Sequence, residues 1–178
     1  VKATRTLIRG YLVPWGDLAR LPDGTMEQPR RGAFAESVAR VSEANPLPLD
    51  FEHDSIGLNG PRRVPIGIIV GAKEDRTGLL VDIRPHQSQD AQDVVEAIRS
   101  GALRGMSATW STESAKYEPL NKQNRRVLTA ADLTGGAITG SPAYRATRAW
   151  IETEEYDDGS PEPGTATVAA PAAQGDPR

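Results

Sequence analysis

Side chains that favour β structure crowd residues 6–13 and stop at Pro14, Trp15 and Gly16, which predicts an opening strand. An irregular stretch through Leu21, Pro22, Asp23 and Gly24 follows. In residues 30–45 the apolar Phe34, Val38 and Val41 fall at i, i+4 and i+7, predicting an amphipathic helix that ends at Asn45, because a residue before proline avoids the helical region. Residues 47–53 alternate as a strand. A more apolar run at 64–72, bounded by Pro61 and a turn at 74–78, pairs naturally with 79–84 as a hairpin. Residues 90–100 place Ala91, Val94, Val95 and Ile98 on one helical face, with Gly101 where a left-handed stop belongs. From 103 to 111 alternation returns, setting Met106, Ala108 and Trp110 on one face and Ser107, Thr109 and Ser111 on the other. Short strands follow at 126–129, 133–139 and 148–151. The tally is an α+β fold, mostly β, with two helices.

Beyond residue 152 the pattern changes. Residues 153–178 are rich in proline, acids and small side chains, too poor in bulky apolar groups to offset the entropy of ordering, and so read as a disordered tail or linker after one domain at 1–152. Of the net charge of −3, the tail holds −5 and the body +2. A body so near neutral gives no electrostatic case for nucleic acid, and the pairs Arg30-Arg31, Arg62-Arg63 and Arg125-Arg126 read as solvated loops. No run approaches the ~18 apolar residues of a membrane span, and the first residues lack the apolar centre of an export signal. A soluble, unanchored protein is expected.

Cysteine is absent, which removes disulfides, thiolate metal sites and cysteine nucleophiles. Only His53 and His86 are present, so a multi-histidine metal centre is not expected and a histidine-dependent reaction has two candidate bases. A serine attacks only when a neighbouring base removes its proton, and imidazole titrates near neutrality. His53 in PLDFEHDSIG ends one predicted strand and Ser107 in GALRGMSATW lies on another, so two strands of one sheet would bring them together. Gly105 before the serine allows close approach of backbone or substrate. Thr109 stands where a GxSxG elbow has its second glycine, which argues against that geometry. On the residues alone this is a weak suggestion of a serine hydrolase, since a histidine beside an acid and a serine on a strand are each more often structural.

Five segments in order, RGYLVPWG, RRGAFAESV, LPLDFEHDSIG with the later PIG and GLL, IRSGALRGMSATW and DLTGGAITGSPAYRAT, resemble the prohead serine proteases of tailed bacteriophages from about residue 6 to 151. That family is similar in fold to the herpesvirus assembly proteases, so the resemblance implies an antiparallel β-barrel flanked by helices. It also implies Ser107 as nucleophile and His53 as general base, with no cofactor. Where many relatives carry an acid in the segment before the Pro-Ala pair, this chain has Gly135-Gly136-Ala137. Asp132 is therefore the first substitute for orienting His53, with Asp50, Asp54 and His86 as alternatives. Arg145 and Arg148 resemble an arginine-bearing loop that supports the oxyanion. The implied activity is an endopeptidase cutting scaffold and delta-domain segments of the major capsid protein, and itself, in the assembling prohead within the host cytoplasm, as a homodimer without nucleic-acid or membrane partners. The missing acid motivates an alternative, an inactive scaffold that keeps the protease fold.

Overall fold

A computed structural model describes residues 2–21, 23–54, 63–119 and 121–157. In chain order the elements are β1 (Lys2–Pro14), β2 (Ala19–Arg20), β3 (Met26–Pro29), α1 (Ala35–Val38), β4 (Leu47–Phe51), β5 (Gly67–Glu74), β6 (Gly78–Pro85), α2 (Gln89–Ser100), β7 (Gly105–Trp110), β8 (Lys116–Tyr117), β9 (Arg125–Ala130), β10 (Leu133–Thr139) and β11 (Arg148–Asp157). Seven strands form one sheet in the order β11-β1-β6-β5-β4-β10-β7, and four shorter strands form a second in the order β2-β3-β9-β8.

The larger sheet curls until its outer strands approach at one corner. There the Ala149 N–H donates to the Arg104 carbonyl at 2.9 Å, and the Met106 N–H donates to Thr147 Oγ1 at 3.0 Å. The mostly β class matches the sequence pattern, but the sheets are mixed: β4 runs parallel to β10, and β3 parallel to β9. Hairpin neighbours such as β5 and β6 must run antiparallel. β4 reaches β10 only through every element between them, so no turn dictates their direction. Inside the curl, Ile8, Leu12, Leu49, Ile69, Leu79, Ile83, Met106 and Ile138 are fully buried, and α2 adds Ala91, Val94, Val95 and Ile98. Each large side chain so buried contributes ~1.5–3 kcal/mol, which makes this core the frame that fixes strand positions. Gly101, in the left-handed region at φ 80°, ends α2 as its place in the sequence implies.

Two expectations are corrected. The helix expected over 30–45 shrinks to α1, because the turn before it is held from outside: a Glu74 carboxylate accepts the N–H of Gly32 at 2.6 Å and of Phe34 at 2.9 Å. After Val38 the chain tightens into i→i−3 turns, with Arg40 and Val41 donating to Ser37 and Val38, while Phe34 still enters the core. The closing strand is also longer than 148–151. Residues 153–157, read as the start of the tail, instead pair with residues 2–6 of β1. The rest of that tail, 158–178, lies outside the described residues.

Candidate active site

β7 carries Ser107. Met106 faces the core and is fully buried, so alternation turns Ser107 and Thr109 to the opposite face. Gly105 fixes the start of this strand, since a Cβ there would lie 2.4 Å from the Thr139 carbonyl oxygen and 2.9 Å from the Pro142 ring. Any side chain would push β7 off β10 and off the loop that follows it.

His53 reaches the same face by a backbone reversal. Glu52 and His53, immediately after β4, have φ of 51° and 58°, a conformation that costs L-residues roughly 1–2 kcal/mol each. The Glu52 carboxylate holds the reversal, accepting Thr139 Oγ1–H at 2.6 Å and the Gly140 N–H at 2.7 Å, while the Glu52 N–H donates to the Ile138 carbonyl at 3.0 Å. The turn thus folds back across β10, and His53 Nδ1 comes to 3.3 Å from Thr109 Oγ1. His53, Ser107 and Thr109 line one cavity of about 330 Å³.

The other walls of that cavity include Ala19, Leu21, Ala108, Trp110, Ala143 and Tyr144, and a charged pair completes it. Glu27 on β3 and Arg126 on β9 are register partners. Arg126 donates through Nε at 3.0 Å and Nη2 at 2.7 Å to one Glu27 oxygen, and the Tyr144 hydroxyl donates to the other at 3.1 Å. The guanidinium lies 4.2 Å from the Tyr117 ring centre. Burial works against the Arg126 charge, yet its bonds to Glu27 outweigh that and hold its pKa above the ordinary value. Burial first, and the Glu27 charge second, push the Tyr144 and Tyr117 hydroxyls upward, so both stay protonated near neutral pH.

Not every residue singled out in the sequence arrives here. Asp132 does not. Thr109, which meets the His53 ring, faces Gly135, and Asp132 sits three residues back along the chain, about 10 Å of strand. Its carboxylate instead accepts Arg40 Nη2 at 2.8 Å and lines a different hollow. Arg148 opens β11 and lines a third hollow beside Arg104, and Arg145 is exposed in the loop before it. Asp54 lies 3.7 Å from Arg63, and the backbone N–H of His86 donates to the Ile66 carbonyl. Asp50 is buried on the rung of Ser107, with Ala137 of β10 between them. Thr109, Glu27, Arg126, Tyr117 and Tyr144 line the cavity without being among the site residues expected from the sequence. Alternation puts Thr109 on the face of Ser107, which is a usable signal; nothing in the spacing of the other four points to a shared site. Among the described residues, no group of three His, Asp or Glu side chains is gathered as a metal site requires.

The sequence profile of the family described as caudovirus prohead serine protease matches residues 1–161. Among solved structures, the KSHV protease in complex with a hexapeptide phosphonate inhibitor aligns with a TM-score of 0.45 and 11% identity. That alignment covers 83% of this chain and 64% of the KSHV protease, so the chain spans a little under two thirds of that relative's length. None of the curated proteins matches the sequence.

Proposed function

This chain belongs to the caudovirus prohead serine protease family, and on that premise we propose that it is a serine endopeptidase with Ser107 as nucleophile and His53 as general base. The observation that carries the reading is that Ser107 and His53, from segments far apart in sequence, line one cavity. Ser107 Oγ attacks the scissile carbonyl while His53 Nε2 takes the hydroxyl proton. The C–N bond breaks, and that proton passes to the leaving amine. A water then gives a proton to His53 and attacks the acyl-serine ester, and the released serine oxygen recovers its proton from the imidazolium.

Thr109 takes the place usually held by an acid. If Nδ1–H donates to Thr109 Oγ1, Nε2 is left with the free lone pair a base needs. A hydroxyl stabilises the imidazolium less than a carboxylate does, so turnover is expected at the slow end for serine proteases. The substrates are scaffold and delta-domain segments of capsid proteins and the protease itself, cut as a homodimer inside the assembling prohead.

Co-expression with capsid subunits, with mass spectrometry of new termini, tests this. Wild-type protein should generate new termini and label with a fluorophosphonate probe, and Ser107→Ala should do neither. No new termini and no labelling from wild type in assembled particles would leave the inactive-scaffold alternative.

A further inference from the structure

The hollow beside Ser107 is more specific than hydrolysis alone requires. We propose that it accepts an uncharged, apolar side chain on the substrate residue whose carbonyl Ser107 attacks, and that Glu27 sets this selectivity by neutralising Arg126 within the wall. The proposal rests on Ser107 being the nucleophile, and it is carried by the walls and charges of the cavity.

Leu21, Ala108, Trp110, Ala143 and the Tyr117 and Tyr144 rings offer contact area without charge. Arg126 lies among them with its side chain 30% exposed, whereas that of Glu27 is only 3% exposed. Left alone, this guanidinium would attract an acidic side chain into the hollow. It is not left alone, because Nε and Nη2 both point to one Glu27 oxygen and the Tyr144 hydroxyl occupies the other. An acidic side chain entering the hollow would find the Arg126 charge offset by Glu27, and a basic one would find both carboxylate oxygens engaged. Either would bring an unbalanced third charge into mostly apolar surroundings, a desolvation cost that an apolar side chain avoids. A half-buried ion pair is seldom the most stable filling of a wall. What it provides here is a neutral lining whose preference depends on one carboxylate.

The test compares kcat/KM for peptides that differ only in the residue N-terminal to the cut, carrying Val, Asp or Lys. For wild type, Val should exceed both charged residues by about tenfold or more. Glu27→Gln uncovers the Arg126 charge, so the Asp-to-Val ratio should rise about tenfold, and the double variant Glu27→Gln/Arg126→Gln should return it towards wild type. A merely structural pair would alter the melting temperature and the overall rate but leave that ratio in place. Equal cleavage of Val, Asp and Lys peptides by wild type overturns the proposal, as does an unchanged ratio in folded Glu27→Gln. If Glu27→Gln does not fold, the wild-type profile and the charge-neutral double variant decide. Binding of product-like acetylated hexapeptides ending in Val, Asp or Lys to Ser107→Ala, read by tryptophan fluorescence, separates the two ideas. Cleavage surviving in Ser107→Ala removes the nucleophile assignment, while tighter binding of the Val peptide still supports the pocket and equal binding of all three sinks it.

Discussion

Two hollows in this protein invite comparison. The one beside Asp132, at about 480 Å³, is the larger, and Glu36, Glu113, Lys116 and Asp132 are among the residues that line it. The one beside Ser107, at about 330 Å³, has a single histidine, one neutralised ion pair and otherwise mostly apolar walls. By size and acid density the first would be chosen, yet its Asp132 carboxylate is turned to Arg40 and half-exposed, where water screens it. The second brings a hydroxyl and an imidazole to one face by a backbone reversal in a costly conformation. Convergence of a hydroxyl and an imidazole, bought with strain and framed by apolar walls that strengthen local electrostatics, is the better mark of a candidate hydrolytic site.

The largest way to break that comparison is to remove the convergent groups. Ser107→Ala and His53→Ala should each lower kcat/KM by about 10⁴-fold or more, and the double variant should cost little beyond either single change because the two act as a unit. Steady-state cleavage of a capsid-derived peptide measures this. Additive losses in the double variant would mean that the residues act separately.

The reversal itself comes next. Glu52→Gln removes a charged acceptor from Thr139 and Gly140, and weakening such bonds costs ~1–3 kcal/mol. The protein should unfold at lower denaturant concentration and turn over more slowly, since the turn that carries His53 is loosened. Loss of stability with unchanged kcat would show that His53 is placed by something other than this turn.

Thr109→Val tests the contact to the ring. Losing one neutral hydrogen bond of ~1 kcal/mol should reduce kcat several-fold to about tenfold with little change in KM, and Thr109→Ser should restore it. Nitrogen chemical shifts of the His53 imidazole provide a second readout, because a structural role for Thr109 would leave the tautomer balance where it was.

The sequence went further for frame than for site. Period-two alternation placed Ser107 and Thr109 on one face of β7, and the 3.6-residue period with Gly101 at its end gave α2 almost to the residue. Both are local signals. The shortening of α1 depends on Glu74, some forty residues away in the chain, and the parallel pairing of β4 with β10 on contacts that no turn encodes. Asp132 lies just before the Gly135-Gly136-Ala137 stretch, but nearness in sequence along a strand is distance in space. Glu27 and Arg126 come together only because β3 and β9 pair in register, so nothing local marks them as partners.

The smallest effect is expected in the other hollow, at Asp132. Its side chain and that of Arg40 are 47% and 56% exposed, and exposed pairs of this kind are worth ~0–1 kcal/mol. An asparagine there still offers Arg40 a carbonyl oxygen. The backbone contacts at this position, the N–H to Ser114 Oγ and the carbonyl from the Ser111 N–H, do not involve the carboxylate at all. Asp132→Asn should therefore unfold within about 0.5 kcal/mol of wild type and cleave within about twofold of it. Its pH–rate profile should overlay the wild-type curve. A hundredfold fall in kcat at preserved stability would require the Asp132 carboxylate to reach His53 in the working enzyme, some three residues of strand from where it lies, and the two hollows would then have to be one site.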